Sequence, residues 1–302
     1  MNYKSALLKQ RQSLPLAGKV AISLKKIREW YNHWEGEVYV SYSGGKDSTV
    51  LLHMVRSLYP GVPAVFCDTG LEFPEIKEFV RDTPNTITIR PKVGFKQVIE
   101  KYGYPIISKE TACYIDQIRK TKSERQRRLR MEGKPRRDGK GVVGKIAEKW
   151  KFLLDAPFRI SDRCCYVMKK NPFHKYEKDT GKKGFVGTMV FESFNRRVSH
   201  QKYGCNAFAL KNPQSRPLSF WLEEDIWHYI RENQLEYCKI YDKGYKRTGC
   251  VFCGFGAHLE PSDLFRKNRY QLLAQTHPKL HEYCMETLGF REVLEYIKVK
   301  YK

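Results

Sequence analysis

Two groups of residues in this chain have the types and spacing to do chemistry. The first is the run Ser43-Gly44-Gly45-Lys46-Asp47-Ser48-Thr49. Glycines without a β-carbon let backbone N–H groups come close to an anion. Ser43, Ser48 and Thr49 add hydroxyl donors, and Lys46 adds a positive charge. An apolar strand, Val38-Tyr39-Val40, precedes the run and helically spaced apolar residues follow it, so the positive end of a helix points at the same spot. These features predict a phosphate site with Lys46 and Asp47 as its catalytic residues. A Walker A loop and a dinucleotide fingerprint need other glycine spacings and are excluded. An ordinary solvated turn accounts for a Ser-Gly pair, but not for two glycines, three hydroxyls and a lysine on one helix start.

The second group is sulfur. Of the nine cysteines, Cys67, Cys113, Cys238 and Cys284 stand alone and read as packed hydrophobes. Cys250-Val251-Phe252-Cys253, flanked by Gly249, Gly254 and Gly256, can place two thiolates on one centre, with glycine N–H groups donating to sulfur. The vicinal pair Cys164-Cys165 supplies the other half, because adjacent cysteines make neither a relaxed disulfide nor good core packing. Four thiolates suit zinc or a [4Fe-4S] cluster. Lys169, Lys170 and Arg247 lie next to these cysteines in sequence and would offset their charge. Cys205 is a spare that could replace one of the vicinal pair.

The elements that must position these groups follow from periodicity. Residues 17–34 read as an amphipathic helix leading into the first strand. After the loop helix comes a second strand, 62–67, ending in Asp68-Thr69-Gly70; then a helix from Pro74 to Arg81, a third strand at Thr86–Ile89 and a helix from Gly94 to Tyr102. Strand alternating with helix argues for a parallel sheet that binds ligands at its carboxyl edge, which would put Asp68 and Thr69 beside the loop. Gly184-Phe185-Val186 is a further strand. Pro217 to Trp227 reads as a turn and a helix start capped by Ser219 or Trp221, and the tail from Ser262 as two or three short helices broken at Pro278.

Composition sets the partners. The 56 Lys and Arg against 33 Asp and Glu leave a formal charge of +23, which favours nucleic acid, a nucleotide or an acidic protein over a membrane surface. Much of that charge falls between Lys109 and Lys151, where Arg119, Lys122, Arg125, Arg127, Arg128, Arg130, Lys134, Arg136, Arg137, Lys140 and Lys145 alternate with glycines. Such a run predicts an exposed, flexible or partly helical insertion able to bind phosphates. No apolar window of membrane length and no signal-peptide pattern is present, so a cytoplasmic protein is expected.

The residues also resemble a known family. Ser43 to Ser48 resembles the PP-loop of ATP pyrophosphatases, which cleave ATP between its α and β phosphates. Asp68 to Glu75 resembles the segment after the second strand in phosphoadenylyl-sulfate reductases. Ser161 to Phe173 is similar to the Cys-Cys, basic-pair, proline signature of iron-sulfur adenylyl-sulfate reductases, and Gly187 with Glu192-Ser193 and Arg196 is similar to their segment at the nucleotide. The resemblance implies an α/β, parallel-sheet PP-loop domain of the adenine nucleotide alpha hydrolase-like, Rossmann-like kind. It would span 1–215, with a basic insertion at about 115–155, followed by a helical part, 216–302, with the Cys-x-x-Cys.

By the same resemblance the nucleotide site would comprise Ser43, Gly44, Gly45, Lys46, Asp47, Ser48, Thr49, Asp68, Thr69, Glu72, Gly187, Glu192, Ser193 and Arg196. Cys164, Cys165, Cys250 and Cys253 would hold a [4Fe-4S] cluster, with zinc as the alternative. Two departures point away from sulfonucleotide reduction. The loop keeps Lys46 and Asp47, and the late Cys284 lacks the Glu-Cys-Gly context of the reductases' nucleophile. The expected function is therefore ATP- and Mg²⁺-dependent adenylation with pyrophosphate release, supporting sulfur transfer to nucleic acid from a cysteine desulfurase or another donor. This is the pattern of the iron-sulfur PP-loop enzymes of DNA phosphorothioation and RNA thiolation. The alternatives are an adenylyl-sulfate or phosphoadenylyl-sulfate reductase, and a nucleic-acid-binding regulator with a nucleotide switch.

Overall fold

The computed structural model describes residues 3–136, 138–263 and 265–302; Arg137 of the basic stretch lies outside them. The chain divides into two units made of alternating segments. One comprises Met1–Asp68, Glu72–Arg90 and Asn171–Thr248, the other Thr69–Leu71, Pro91–Lys170 and Gly249–Lys302. This differs from a single cut near residue 215. The helix Glu223–Glu232 belongs with the first unit, and residues 91–170 belong with the tail.

The first unit is α/β. Its sheet has strands β1 (Val38–Tyr42), β2 (Ala64–Cys67), β3 (Thr86–Ile89), β4 (Lys183–Val186), β5 (Asn206–Ala207) and β6 (Gln214–Ser215), in the order β3-β2-β1-β4-β6-β5. Every pairing is parallel except that of β5 with β6. Central strands are covered on both faces and read as continuous apolar runs. Val38, Val40, Ala64 and Val65 are accordingly fully buried.

The helix Lys46–Leu58 buries Val50, Leu51, Met54 and Val55. The helix Leu16–His33 buries Ile27 and Trp30, and the Trp30 ring stacks on Phe208 at 5.0 Å. That helix is also tied down by polar contacts. Lys19 pairs with Asp225 at 2.6 Å, and Ser23 accepts from Trp221 Nε1 at 2.9 Å while donating to the Pro217 carbonyl. Neither Ser219 nor Trp221 caps Glu223–Glu232. Its cap is Leu222, whose N–H donates to Asp225 at 2.7 Å.

The second unit is mainly helical. A two-residue parallel ladder joins Ile106–Ile107 to Gly254–Phe255, and a core forms around Tyr270, Leu273, Cys284, Phe290 and Leu294. Part of the basic stretch is regular. The helix Lys109–Lys120 buries Ala112, Ile115 and Ile118, and the helix Glu124–Met131 leads to an antiparallel hairpin, Lys134–Pro135 with Val142–Val143. Among the described residues no helix is long and apolar enough to cross a membrane.

Candidate functional site

In the first unit, the run after β1 folds into a turn held by its own hydroxyls. Ser48 Oγ donates to the Gly45 carbonyl at 2.8 Å and accepts from Ser43 N–H at 3.2 Å. Ser43 Oγ accepts from Gly45 N–H at 3.3 Å, and Thr49 Oγ1 donates to the Gly45 carbonyl at 3.1 Å. The hydroxyls expected to face a phosphate therefore shape the loop. Gly44 has φ +68°, where a side chain is strained, and a Cβ there would meet Val80 at 2.8 Å. Gly187, just past β4, allows a second close approach, since a Cβ there would lie 3.1 Å from the Asp47 carbonyl oxygen and 3.2 Å from Ser48 N.

Lys46 is 5% exposed. Its ammonium sits 3.6 Å from Asp47 and 3.4 Å from Glu223, over the rings of Tyr241 and Trp227 at 5.4 and 6.0 Å. Its backbone N–H, one of the free donors at this helix start, donates to Tyr241 Oη at 2.9 Å. Burial pushes Tyr241 up to about 12. Burial also raises the Asp47 carboxyl against the opposing pull of Lys46, and among the described residues Asp47 Oδ1 has no hydrogen-bond partner. Glu223, Trp227 and Tyr241, with Asp242, Tyr245 and Lys246, line a cavity of about 390 Å³.

Glu192 accepts from Met189 N–H and pairs with Arg196 and with Arg247, the latter at 3.3 Å. Arg247 thus answers a carboxylate in this unit. Ser193 caps the helix Phe194–Tyr203 by accepting from Arg196 N–H. Burial, then the charges of Arg247 and Arg216, lower Arg196. Asp68, at the end of β2, pairs with Lys77 at 3.1 Å and Arg90 at 3.2 Å, and Glu72 is half-buried before the helix Pro74–Arg81. Thr69 belongs to the other unit, where its Oγ1 accepts from Leu71 N–H.

The second unit holds all four candidate thiols. Cys164 and Cys165 open a helix that continues as a π-helical turn, Tyr166–Lys170, and their sulfurs are 3.9 Å apart. Cys250 and Cys253 act electrostatically on Cys164, which is held protonated by its hydrogen bond to Cys165 and by burial. Cys165 is lowered to about 6 by that hydrogen bond and by Lys109 and Lys169. Phe255 N–H, rather than a glycine, donates to the Cys253 sulfur, and Arg269 bonds the Cys253 carbonyl at 2.7 Å. Gly254 is needed for packing, as a Cβ there would meet the Pro105 carbonyl at 2.8 Å.

Ile107 links the ladder to the helix that carries Lys109, with φ +64°. For a β-branched residue this conformation costs on the order of 1–3 kcal/mol and is held only by its surroundings. Here the Ile107 carbonyl accepts from Gly256 N–H at 2.9 Å. Among the described residues no three His, Cys, Asp or Glu side chains stand in single-ion geometry. Cys205, in the first unit, contacts Ser219 Oγ at 3.4 Å. Cys284 is fully buried and its thiol is pushed up by that burial, so it lacks the thiolate character of a nucleophile.

A glycine-containing loop thus stands at the carboxyl edge of a mostly parallel sheet in an α/β fold. The family model described as the phosphoadenosine phosphosulfate reductase domain matches residues 37–141 and 109–255, and the chain belongs to that family. It is 25% identical over 262 residues to adenosine 5'-phosphosulfate reductase of Lysinibacillus sphaericus, covering 86% of this chain and 91% of that one. It is 29% identical over 233 residues to an uncharacterized protein of Methanocaldococcus jannaschii, covering 75% of this chain but only 38% of that protein. A solved phosphoadenylyl-sulfate reductase from Candida auris overlaps 82% of this chain and 94% of its own, at 18% identity and a TM-score of 0.44.

Sequence reasoning missed Tyr241 and Lys109. Tyr241 lies far along the chain from the loop and carries no motif. Lys109 looked like one more member of a charge run.

Proposed function

We propose that the chain is an enzyme that seats the phosphates of an adenine nucleotide on residues 43–49 and acts on a sulfonucleotide of the adenylyl-sulfate class. The observation that carries this reading is the likeness to an adenosine 5'-phosphosulfate reductase over most of both chains. In this reaction a thiolate of an external reductant attacks the sulfate sulfur, and the bond from sulfur to the adenylate oxygen breaks. AMP leaves, and a second thiol displaces sulfite from the thiosulfonate, so that two thiols become one disulfide. Lys46 and the loop N–H groups would hold the phosphate and stabilise charge on the departing oxygen. Glu192 would keep Arg196 and Arg247 in place beside it.

A second reading is adenylation of an acceptor such as nucleic acid by ATP, with pyrophosphate leaving and sulfur from a desulfurase-type donor displacing AMP. The buried Lys46 next to an unbonded Asp47 oxygen favours it, because that oxygen suits a Mg²⁺ ion shared with the phosphates.

The four thiols, with Lys109, Lys169 and a sulfur-bonding backbone N–H, suit a [4Fe-4S] cluster in their donor chemistry. Such a cluster would pin the two cysteine pairs to one centre and supply redox-active iron. Protein purified without oxygen is expected to be brown, with about four irons and four sulfides per chain. A colourless protein with one zinc would make the site a structural clip.

Two assays separate the readings. Thiol-dependent sulfite and AMP formation from adenylyl sulfate, with no pyrophosphate from ATP, is the expected result. Pyrophosphate release from ATP without sulfite formation would replace the first reading by the second. Nucleotide binding with neither turnover would leave a switch.

A further inference from the structure

Nucleotide and thiol chemistry leave the basic stretch unused, and the fold sorts its cations into two classes. Arg119 and Arg130 commit their guanidiniums to the protein's own acceptors, Arg119 from an exposed position. Arg119 donates to the carbonyls of Leu153, Leu154, Ala156 and Phe158 at 2.6–3.2 Å. Arg130 donates to Gln117 at 2.7 Å and to the Gly144 carbonyl at 3.0 Å, with its guanidinium 4.0 Å from the Tyr114 ring. Lys122, Arg125, Arg127, Arg128, Lys134 and Arg136 are exposed too, and among the described residues no comparable set of carbonyls surrounds them.

The helix Glu124–Met131 buries none of its residues. It stands because Ser123 caps it, Gln126 bonds Gln117 at 2.9 Å, Arg130 anchors it, and Ile146 N–H donates to the Arg130 carbonyl at 2.8 Å. The carboxylates that answer the exposed cations are loose, with Glu124 3.8 Å from Arg127 and Asp138 3.5 Å from Arg136. Like charges at helical spacing repel. An element that gathers cations against that repulsion, using Arg130 as its internal support, is organised for an external anion.

The kind of anion follows from geometry. Guanidinium forks match phosphate oxygens in pairs. Arg125 and Arg128 share a helix face and are separated by about 4.5 Å of rise. A duplex offers one charge per about 1.7 Å of its axis, so neighbouring arginines can each meet a phosphate. An acidic protein surface interleaves its carboxylates with neutral residues and cations. We propose that the arm formed by residues 122–136 and 138–145 is a docking surface for the phosphodiester backbone of nucleic acid. The proposal goes beyond the nucleotide chemistry and holds whichever nucleotide the loop takes.

The test uses the full chain, a short labelled DNA duplex, its single strand and the matching RNA, titrated with potassium chloride. The triple variant R125Q/R127Q/R128Q should weaken binding across sequences and lower the slope of log affinity against log salt by about 2 to 3. Adenine-nucleotide binding should be unchanged. The hairpin variant K134Q/K140Q leaves the helix untouched and should lower the slope by about 1 to 2, which decides the matter if the triple variant melts early. Unchanged slopes in both would overturn the proposal, as would displacement of the duplex by polyglutamate at equal charge concentration. Loss of nucleotide binding in the wild type would sink the nucleotide reading and leave this one standing.

Discussion

In the first unit the phosphate loop is one unbroken run that closes on itself through Ser43, Ser48 and Thr49. In the second, the thiols come as two pairs from distant segments, one of them next to a two-residue ladder whose Ile107 is held at φ +64°. A local turn carries its stability in its own hydrogen bonds, whereas a gathered site borrows stability from the packing around it. The loop should therefore fail by losing a specific group, and the thiol set by losing its scaffold.

The largest effect is expected at Lys46. Replacing it by alanine removes the one cation inside the loop run and should cut turnover by about 100- to 1000-fold. Normal turnover in this variant would remove the loop from the chemistry.

Next comes acid stability of the loop's unit. His200 is buried, donating to or accepting from Ser219 at 2.9 Å, and burial, then Arg11 and Arg216, lower it to about 4. The unfolded chain takes up that proton near 6.5 while the native state resists it, so stability is complete above pH 6.5 and falls as pH drops toward 4. The loss amounts to about 3 kcal/mol. Denaturant titrations across that range should show it, and His200→Gln should flatten that part of the curve.

Gly254→Ala and Gly187→Ala sharpen the contrast directly. The first drives a Cβ into the Pro105 carbonyl, the second into the backbone of Asp47 and Ser48. Each should cost about 1 to 3 kcal/mol. Gly254→Ala should also lower the metal content, and Gly187→Ala the nucleotide affinity. If either variant shows the other's defect instead, the two sites are not separately built.

The smallest effect is the most telling about the loop. Tyr241 Oη holds the Lys46 N–H that an incoming phosphate would use. Tyr241→Phe removes that competitor and should tighten nucleotide binding about two- to tenfold, measured by calorimetry. Weaker binding would make Tyr241 a ligand of the nucleotide.

The loop, strands β1 to β3, the helix Pro74–Arg81 and the two cysteine pairs were legible from residue order. Each is specified by neighbours within a few positions: a glycine turn before apolar residues at helical spacing, Pro74 at a first helical position, paired sulfurs. The acidic start of Glu223–Glu232 was legible too, but not the bond from Leu222 to Asp225 that moves its cap past Ser219. Ser219 instead serves His200 and Cys205. The basic stretch is exposed as its charge predicts, Arg119 included, but residue order carried no sign that four carbonyls converge on the Arg119 guanidinium.

By itself the sequence determined the candidate groups, because a glycine, hydroxyl and lysine run and paired cysteines are set by local spacing. It also determined the alternation of strand and helix that builds the parallel sheet. Only the tertiary structure decided that segments alternate between two units, that the loop's hydroxyls turn inward, and that Tyr241 and Glu223 close around Lys46. It alone set Lys109 against Cys165. These are contacts between positions far apart in the chain. Their partners are chosen by packing and by the need to satisfy buried polar groups, neither of which leaves a periodic mark on residue order.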